Sequence, residues 1–240
     1  MGNYDTTFSY DVDIAFCIDI TGSMDPLIDM IKRNALNFYG DLVRVIEKTP
    51  RRMAKRLDSV RIRVIAFRDY LTDGANAILT TDFFTMPEQA EDFKACVNSI
   101  RADGGGDGPE DGLEALAYAI RSPWMKPTQG RKRRQVIVVW TDASTHLIGN
   151  GAKSSYYPKD MVKNFVELTE WWESGEFVDK QSKRLLFFAP DEEAWSTLST
   201  NWDNVVHHST RAGAGLQEIK YEEMLNLIRK ISVDEYELYV

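Results

Sequence analysis

The sequence predicts a doubly wound α/β domain, with a mostly parallel central sheet and helices on both faces. Three observations predict it. Short apolar runs alternate with amphipathic helical patterns along the whole chain. The runs, such as residues 13–19 (DIAFCID) and 135–140 (QVIVVW), are too apolar to have a wet face, as in buried parallel strands. The 240 residues suffice for one large domain and leave little room for a second core.

Residues 13–19 form the first strand and end in Asp19. Pro26 suits the first turn of a helix, and Leu27, Ile28, Ile31, Ala35, Phe38, Leu42, Val45 and Ile46 recur at helical spacing behind it. Residues 60–67 (VRIRVIAF) form the second strand, with Arg61 and Arg63 on its wetter face, and a short edge strand is expected near 77–81 or 83–84. Pro87 begins a helix to about Ser99, and Pro109 opens another after the loop 103–108. Residues 135–140 are the most apolar strand and so the most central. A polar insertion at 143–158, a helix at 159–174, a strand at 185–189, a short helix from Asp191, a strand near 205–207 and a helix at 216–231 complete the pattern. Residues 1–12 are read as a lead-in, 13–231 as the domain and 232–240 as a tail.

Composition narrows the function. With 43% hydrophobic and 28% charged residues the chain is an ordinary globular protein, not a disordered one. A formal net charge of −8 argues against a general nucleic-acid binder, which needs a positive surface. Cys17 and Cys96 are the only cysteines and lie in apolar or helical patterns, so neither a disulfide framework nor zinc-ligand spacing is expected. The first residues lack a basic segment and an apolar stretch, and no run approaches the length of a membrane span. A cytoplasmic protein without membrane contact is the expectation.

Ligands of parallel sheets bind beyond the carboxyl ends of the strands. Three segments carry oxygen donors there: Asp19-Ile20-Thr21-Gly22-Ser23, the loop Asp103 to Glu110 (DGGGDGPE), and Thr141-Asp142. Carboxylates and hydroxyls are hard donors that suit Mg²⁺, Mn²⁺ or Ca²⁺. Separately, each has a bland use: Asp19 and Thr21 could cap a helix, Asp107 could cap the next, with Glu110 and Asp111 complementing its dipole, and Asp142 could start a turn. Together, carboxylates crowded at one sheet edge repel one another unless a cation is present.

Asp19-x-Thr21-x-Ser23 resembles the Asp-x-Ser/Thr-x-Ser metal-ion-dependent adhesion site of von Willebrand factor type A domains, and Thr141-Asp142 resembles the late aspartate of that site. The resemblance implies that Thr21 and Ser23 coordinate the ion directly, that Asp19 and Asp142 bind it directly or through water, and that the module binds a protein partner through an acidic residue of that partner. Where the family usually supplies a threonine from the second loop, this chain has GGGDGPED, with Asp107 as its donor. That loop is similar to the subgroup found in hemicentin-like proteins and beside atypical kinases.

Other readings stay open. A strand ending in Asp19 followed by Thr-Gly could be the nucleophile loop of a haloacid dehalogenase-like Mg²⁺-dependent phosphohydrolase. Such enzymes place a carboxylate two residues later, where this chain has Thr21. A P-loop, a dinucleotide fingerprint and a nucleophile elbow are all missing from the sequence, so a non-enzyme is expected. A structural domain with a vestigial site is the third reading. Asp69 could pair with Arg68 or orient a metal-bound water, and His146 is expected to be a solvated loop residue. Basic clusters precede three strands: Arg51, Arg52, Lys55 and Arg56; Arg131 to Arg134; and Lys180, Lys183 and Arg184. They predict a basic edge opposite the metal that could meet an anionic partner or merely guard strand entrances.

Overall fold

The computed structural model describes residues 8–47, 55–105, 108–126, 128 and 131–233. Seven strands form one sheet in the order β3-β2-β1-β5-β6-β7, with β4 also paired to β2. The strands are β1 (Phe8–Asp19), β2 (Lys55–Phe67), β3 (Ile78–Thr80), β4 (Phe84–Met86), β5 (Lys132–Trp140), β6 (Lys183–Pro190) and β7 (Val205–Thr210). The long strands pair in parallel, while β3 and β4 run antiparallel to β2. Both candidate edge strands of the sequence therefore exist, and together they close one border of the sheet.

Among the described residues eight α-helices flank the sheet: α1 (Asp25–Asn34), α2 (Phe38–Glu47), α3 (Tyr70–Asp73), α4 (Ala90–Ser99), α5 (Gly112–Ile120), α6 (Phe165–Glu173), α7 (Glu193–Asn201) and α8 (Tyr221–Val233). Because side chains alternate along a strand, β1 sends Ile14, Phe16 and Ile18 to one face and Ala15 and Cys17 to the other. The first set packs with α1, α2, α4 and α8; the second packs with α5, α6 and α7. Two cores sharing one sheet leave every central strand dry, which is why those strands read as continuous apolar runs.

Several boundaries differ from the expectation, among them β2, which starts at Lys55 and not at 60, and α6, which starts at Phe165 and not at 159. Strand β1 starts at Phe8, and Tyr10 and Val12 are buried, so residues 8–12 belong to the sheet and not to a lead-in. The helical pattern of 27–46 is two helices, parted where Asn37 N–H donates to Asn34 O and the Asn34 amide donates to Met30 O. An asparagine that bonds locally to backbone ends a helix that hydrophobic spacing alone would continue. Helix α8 begins at Tyr221, not 216, because Leu216 has φ 55°, outside the helical region. Residues 234–240 of the expected tail lie outside the described residues.

The basic edge also differs. Arg133 lies against buried Asp11, Arg134 is 7% exposed and Lys183 is fully buried. Arg131 reaches Asp11 and Asp58, Arg61 makes a two-pronged pair with Asp13, and Lys183 bonds Glu173, Asp203 and the Trp172 carbonyl. The acidic partners sit on β1, β2 and the helix ends, where local sequence does not announce them. Desolvated cations need such partners, so this edge is an internal charge network more than an anion-binding surface. Arg51 and Arg52 lie outside the described residues.

Candidate metal centre

Parallel pairing brings Asp19 and Asp142 to the same edge, since β1 and β5 are direct neighbours with Ile18 opposite Trp140. Asp19 is fully buried, and both its oxygens are engaged. Oδ1 accepts from the Thr21 hydroxyl at 2.6 Å and the Thr21 N–H at 2.9 Å; Oδ2 accepts from the Thr141 hydroxyl at 2.7 Å. Burial raises its carboxyl to about 6, opposed by these hydrogen bonds and assisted by Asp142. Asp19 thus orients the Thr21 side chain from behind, and Thr141 completes that support.

The forward groups line an open cleft of roughly 470 Å³, with Thr21, Ser23, Gly105, Glu110 and Asp142 on its walls. The Ser23 hydroxyl donates to Asp142 Oδ1 at 2.8 Å, while Asp142 Oδ2 accepts from Gly215 N–H at 2.7 Å. Gly215 has φ 59°, and a Cβ there would lie 2.2 Å from the Ser23 carbonyl, so only glycine brings this amide to Asp142. Asp19, Thr21, Ser23 and Asp142, four residues singled out from sequence, therefore meet at one place. The fifth, Asp107, lies outside the described residues.

Glu110 is the wall residue that sequence reasoning missed. It is 4% exposed, and its Oε2 accepts no hydrogen bond among the described residues. Burial raises its carboxyl to about 9, helped by the charges of Asp19, Asp69, Asp73 and Asp111. A Cβ on Gly105 (φ 77°) would lie 2.8 Å from Glu110 Oε1 and 2.9 Å from Thr21 Cγ2, so the glycine run leaves room for these two side chains to approach. The Gly-Gly-Gly tract before Pro109-Glu110 was the available signal, but Glu110 read as a helix-dipole residue. An orphaned buried carboxylate beside two hydroxyls and a second carboxylate fits a hard divalent cation.

The insertion 143–158 builds this wall. Glu110 N–H donates to Ser144 O, His146 N–H donates to Glu110 O, and the Thr145 hydroxyl also donates to Glu110 O. Two expectations change here. Arg68 does not pair with Asp69: its guanidinium donates to the carbonyls of Asp103, Asn76 and Arg101. Asp69 instead caps α3 through Leu71 and Thr72 N–H and sits 2.8 Å from His146 Nε2. His146 is 13% exposed, not a solvated loop residue.

No protein-family model matches the chain. Alpha-protein kinase vwkA of Dictyostelium discoideum is 24% identical over 237 residues, which cover 94% of this chain. The chain spans 35% of that relative's length. The pilus adhesin SpaC of Lactobacillus rhamnosus GG superposes with a TM-score of 0.51 at 12% identity, over 91% of this chain and 30% of the adhesin. Proximal thread matrix protein 1 of the mussel byssus, in a form with a zinc-occupied MIDAS motif, gives 0.44 at 12% identity over 93% of this chain and 48% of that one. The fold is von Willebrand factor type A-like. No helix among the described residues is long and apolar enough to cross a membrane.

Proposed function

We propose that this domain is a non-catalytic interaction module. It holds one Mg²⁺ through Thr21, Ser23 and Asp142, with Glu110 beside it, and binds an acidic side chain of a protein partner through that ion. The observation that carries the reading is the cleft itself: two hydroxyls and two carboxylates, from the ends of β1 and β5 and the loop before α5, line one open space. An Mg²⁺ held by few carboxylates keeps exchangeable water positions, one of which a partner Asp or Glu could take. Asp107 adds negative charge to the same loop and would strengthen the hold on the free ion while weakening its pull on an acidic partner. The loop pattern GGGDGPED and the kinase-named relative support placement beside the type A domains attached to atypical kinases. Two free cysteines support a cytoplasmic location.

The phosphohydrolase alternative is disfavoured because the proton-carrying carboxylate it needs is replaced by Thr21, whose hydroxyl donates to Asp19. The test is calorimetric titration of Mg²⁺ into wild type and Ser23→Ala, beside capture of partners in Mg²⁺ and in EDTA. Wild type should bind one ion and lose its partner in EDTA. Ser23 is exposed, so its loss should spare folding yet weaken both. A complex that survives EDTA, or phosphatase turnover in Mg²⁺, would overturn the reading.

A further inference from the structure

Behind the Glu110 wall lies a second group of donors. Asp69 comes from the end of β2, Asp111 from the start of α5 and His146 from the insertion, and one ligand atom of each lies within 4.8 Å of the other two. Asp69 and Asp111 are 2% and 0% exposed. His146 Nε2 and Asp69 Oδ2 stand 2.8 Å apart, near the roughly 3.3 Å that separates two donors on one tetrahedral zinc. Each carboxylate is also held by backbone: Asp69 Oδ1 by Leu71 and Thr72 N–H, Asp111 Oδ2 by Tyr70 N–H at 2.7 Å. Such supporting hydrogen bonds orient metal ligands.

An independent observation points to a cation. Glu114, three residues after Asp111, is 0% exposed and keeps an Oε2 that accepts no hydrogen bond among the described residues. The charge of Asp111 bears on it. Arg68, the nearby cation in sequence, spends its guanidinium on three carbonyls. Buried carboxylates crowded in this way are ordinarily matched by a positive charge.

We infer that Asp69, Asp111 and His146 form a second divalent-cation centre, distinct from the cleft of Thr21, Ser23 and Asp142, which takes a transition-metal ion such as Zn²⁺. The imidazole decides the class, since a nitrogen donor with two carboxylates favours zinc over the Mg²⁺ expected at the oxygen-only cleft. Small side-chain rotations close the three donors onto one ion. An ion there would tie the insertion to β2 and α5, and through Glu110 it would fix one wall of the first cleft.

The test is titration of Zn²⁺ into metal-stripped protein held in excess Mg²⁺, with X-ray absorption at the zinc edge. Wild type should bind one Zn²⁺ and show imidazole scattering. His146→Gln and Asp111→Asn should weaken that binding roughly a hundredfold, while Ser23→Ala keeps it. Absence of Zn²⁺ uptake, or a bound zinc without imidazole scattering, overturns the inference on wild type alone, whatever the variants do. Undiminished binding in His146→Gln also overturns it, because His207 or His208 would then hold the ion. Loss of Mg²⁺ binding in Ser23→Ala reports only on the first centre, so the two proposals fail separately.

Discussion

Replacing Glu110 with glutamine tests the electrostatics of the cleft at a buried wall residue. The change keeps side-chain volume and removes the carboxylate. In the metal-free protein this carboxyl is raised to about 9 by burial and by four neighbouring aspartates. At pH 7.5 roughly nine molecules in ten or more therefore carry its proton. A cation in the cleft favours the ionised form, so Mg²⁺ should expel close to one proton per ion. Affinity should then rise almost tenfold per pH unit between about 6.5 and 9. The assay is calorimetry at pH 7.5 in buffers of differing ionisation enthalpy, where the slope of heat against that enthalpy counts protons. Wild type should give a slope near one and Glu110→Gln a slope near zero. Their affinities should converge near pH 6, where glutamate is as neutral as glutamine. A wild-type slope of zero, or equal slopes in both proteins, would refute the reasoning.

Further outcomes follow from the same geometry. Gly105→Ala should destabilise by about 1–2 kcal/mol and weaken Mg²⁺ binding, because its Cβ meets Glu110 and Thr21 at positive φ; Gly40→Ala, a helical site with open space, should instead raise the melting temperature slightly. In EDTA, Asp19 at about 6 and Glu114 at about 7 are both raised above ordinary carboxylate values, so stability they contribute is present at low pH and lost as pH rises through 6 to 7. Melting curves in EDTA should therefore improve from pH 8 to pH 5.5, and saturating Mg²⁺ should flatten that trend; a melting temperature that falls steadily on acidification would contradict it. Arg133→Glu should cost about 1–3 kcal/mol by facing Asp11 with a like charge, without changing Mg²⁺ affinity; coupled loss of metal would mean the two sheet edges communicate.

Much of this was legible because parallel sheets convert one-dimensional pattern into place. The apolar runs ending at Asp19 and before Thr141-Asp142 had to stop at the same edge, so two of the loops could be paired without coordinates. The GGGDGPED loop supplied the third. What stayed hidden was every partnership set by packing across distant segments. Glu110 becomes a wall residue only when Ser144, Thr145 and His146 lock its backbone, and no local pattern encodes that bridge. The arginines around the start of β5 look like an exposed patch until β1 is seen to start at Phe8 and to carry Asp11 beside Arg131 and Arg133. His146 looked solvated because Asp69 lies 77 residues away in sequence.

The central claim is that the cleft at the carboxyl edge of β1 and β5 holds a divalent cation. The most direct measurement is an anomalous difference map from crystals equilibrated with Mn²⁺, a probe for oxygen-ligated Mg²⁺ sites. A peak within coordination distance of the Thr21 and Ser23 hydroxyls and Asp142, and its disappearance in Ser23→Ala, is the expected result. Saturating Mn²⁺ with no peak in that cleft, whatever binds elsewhere, would contradict the account.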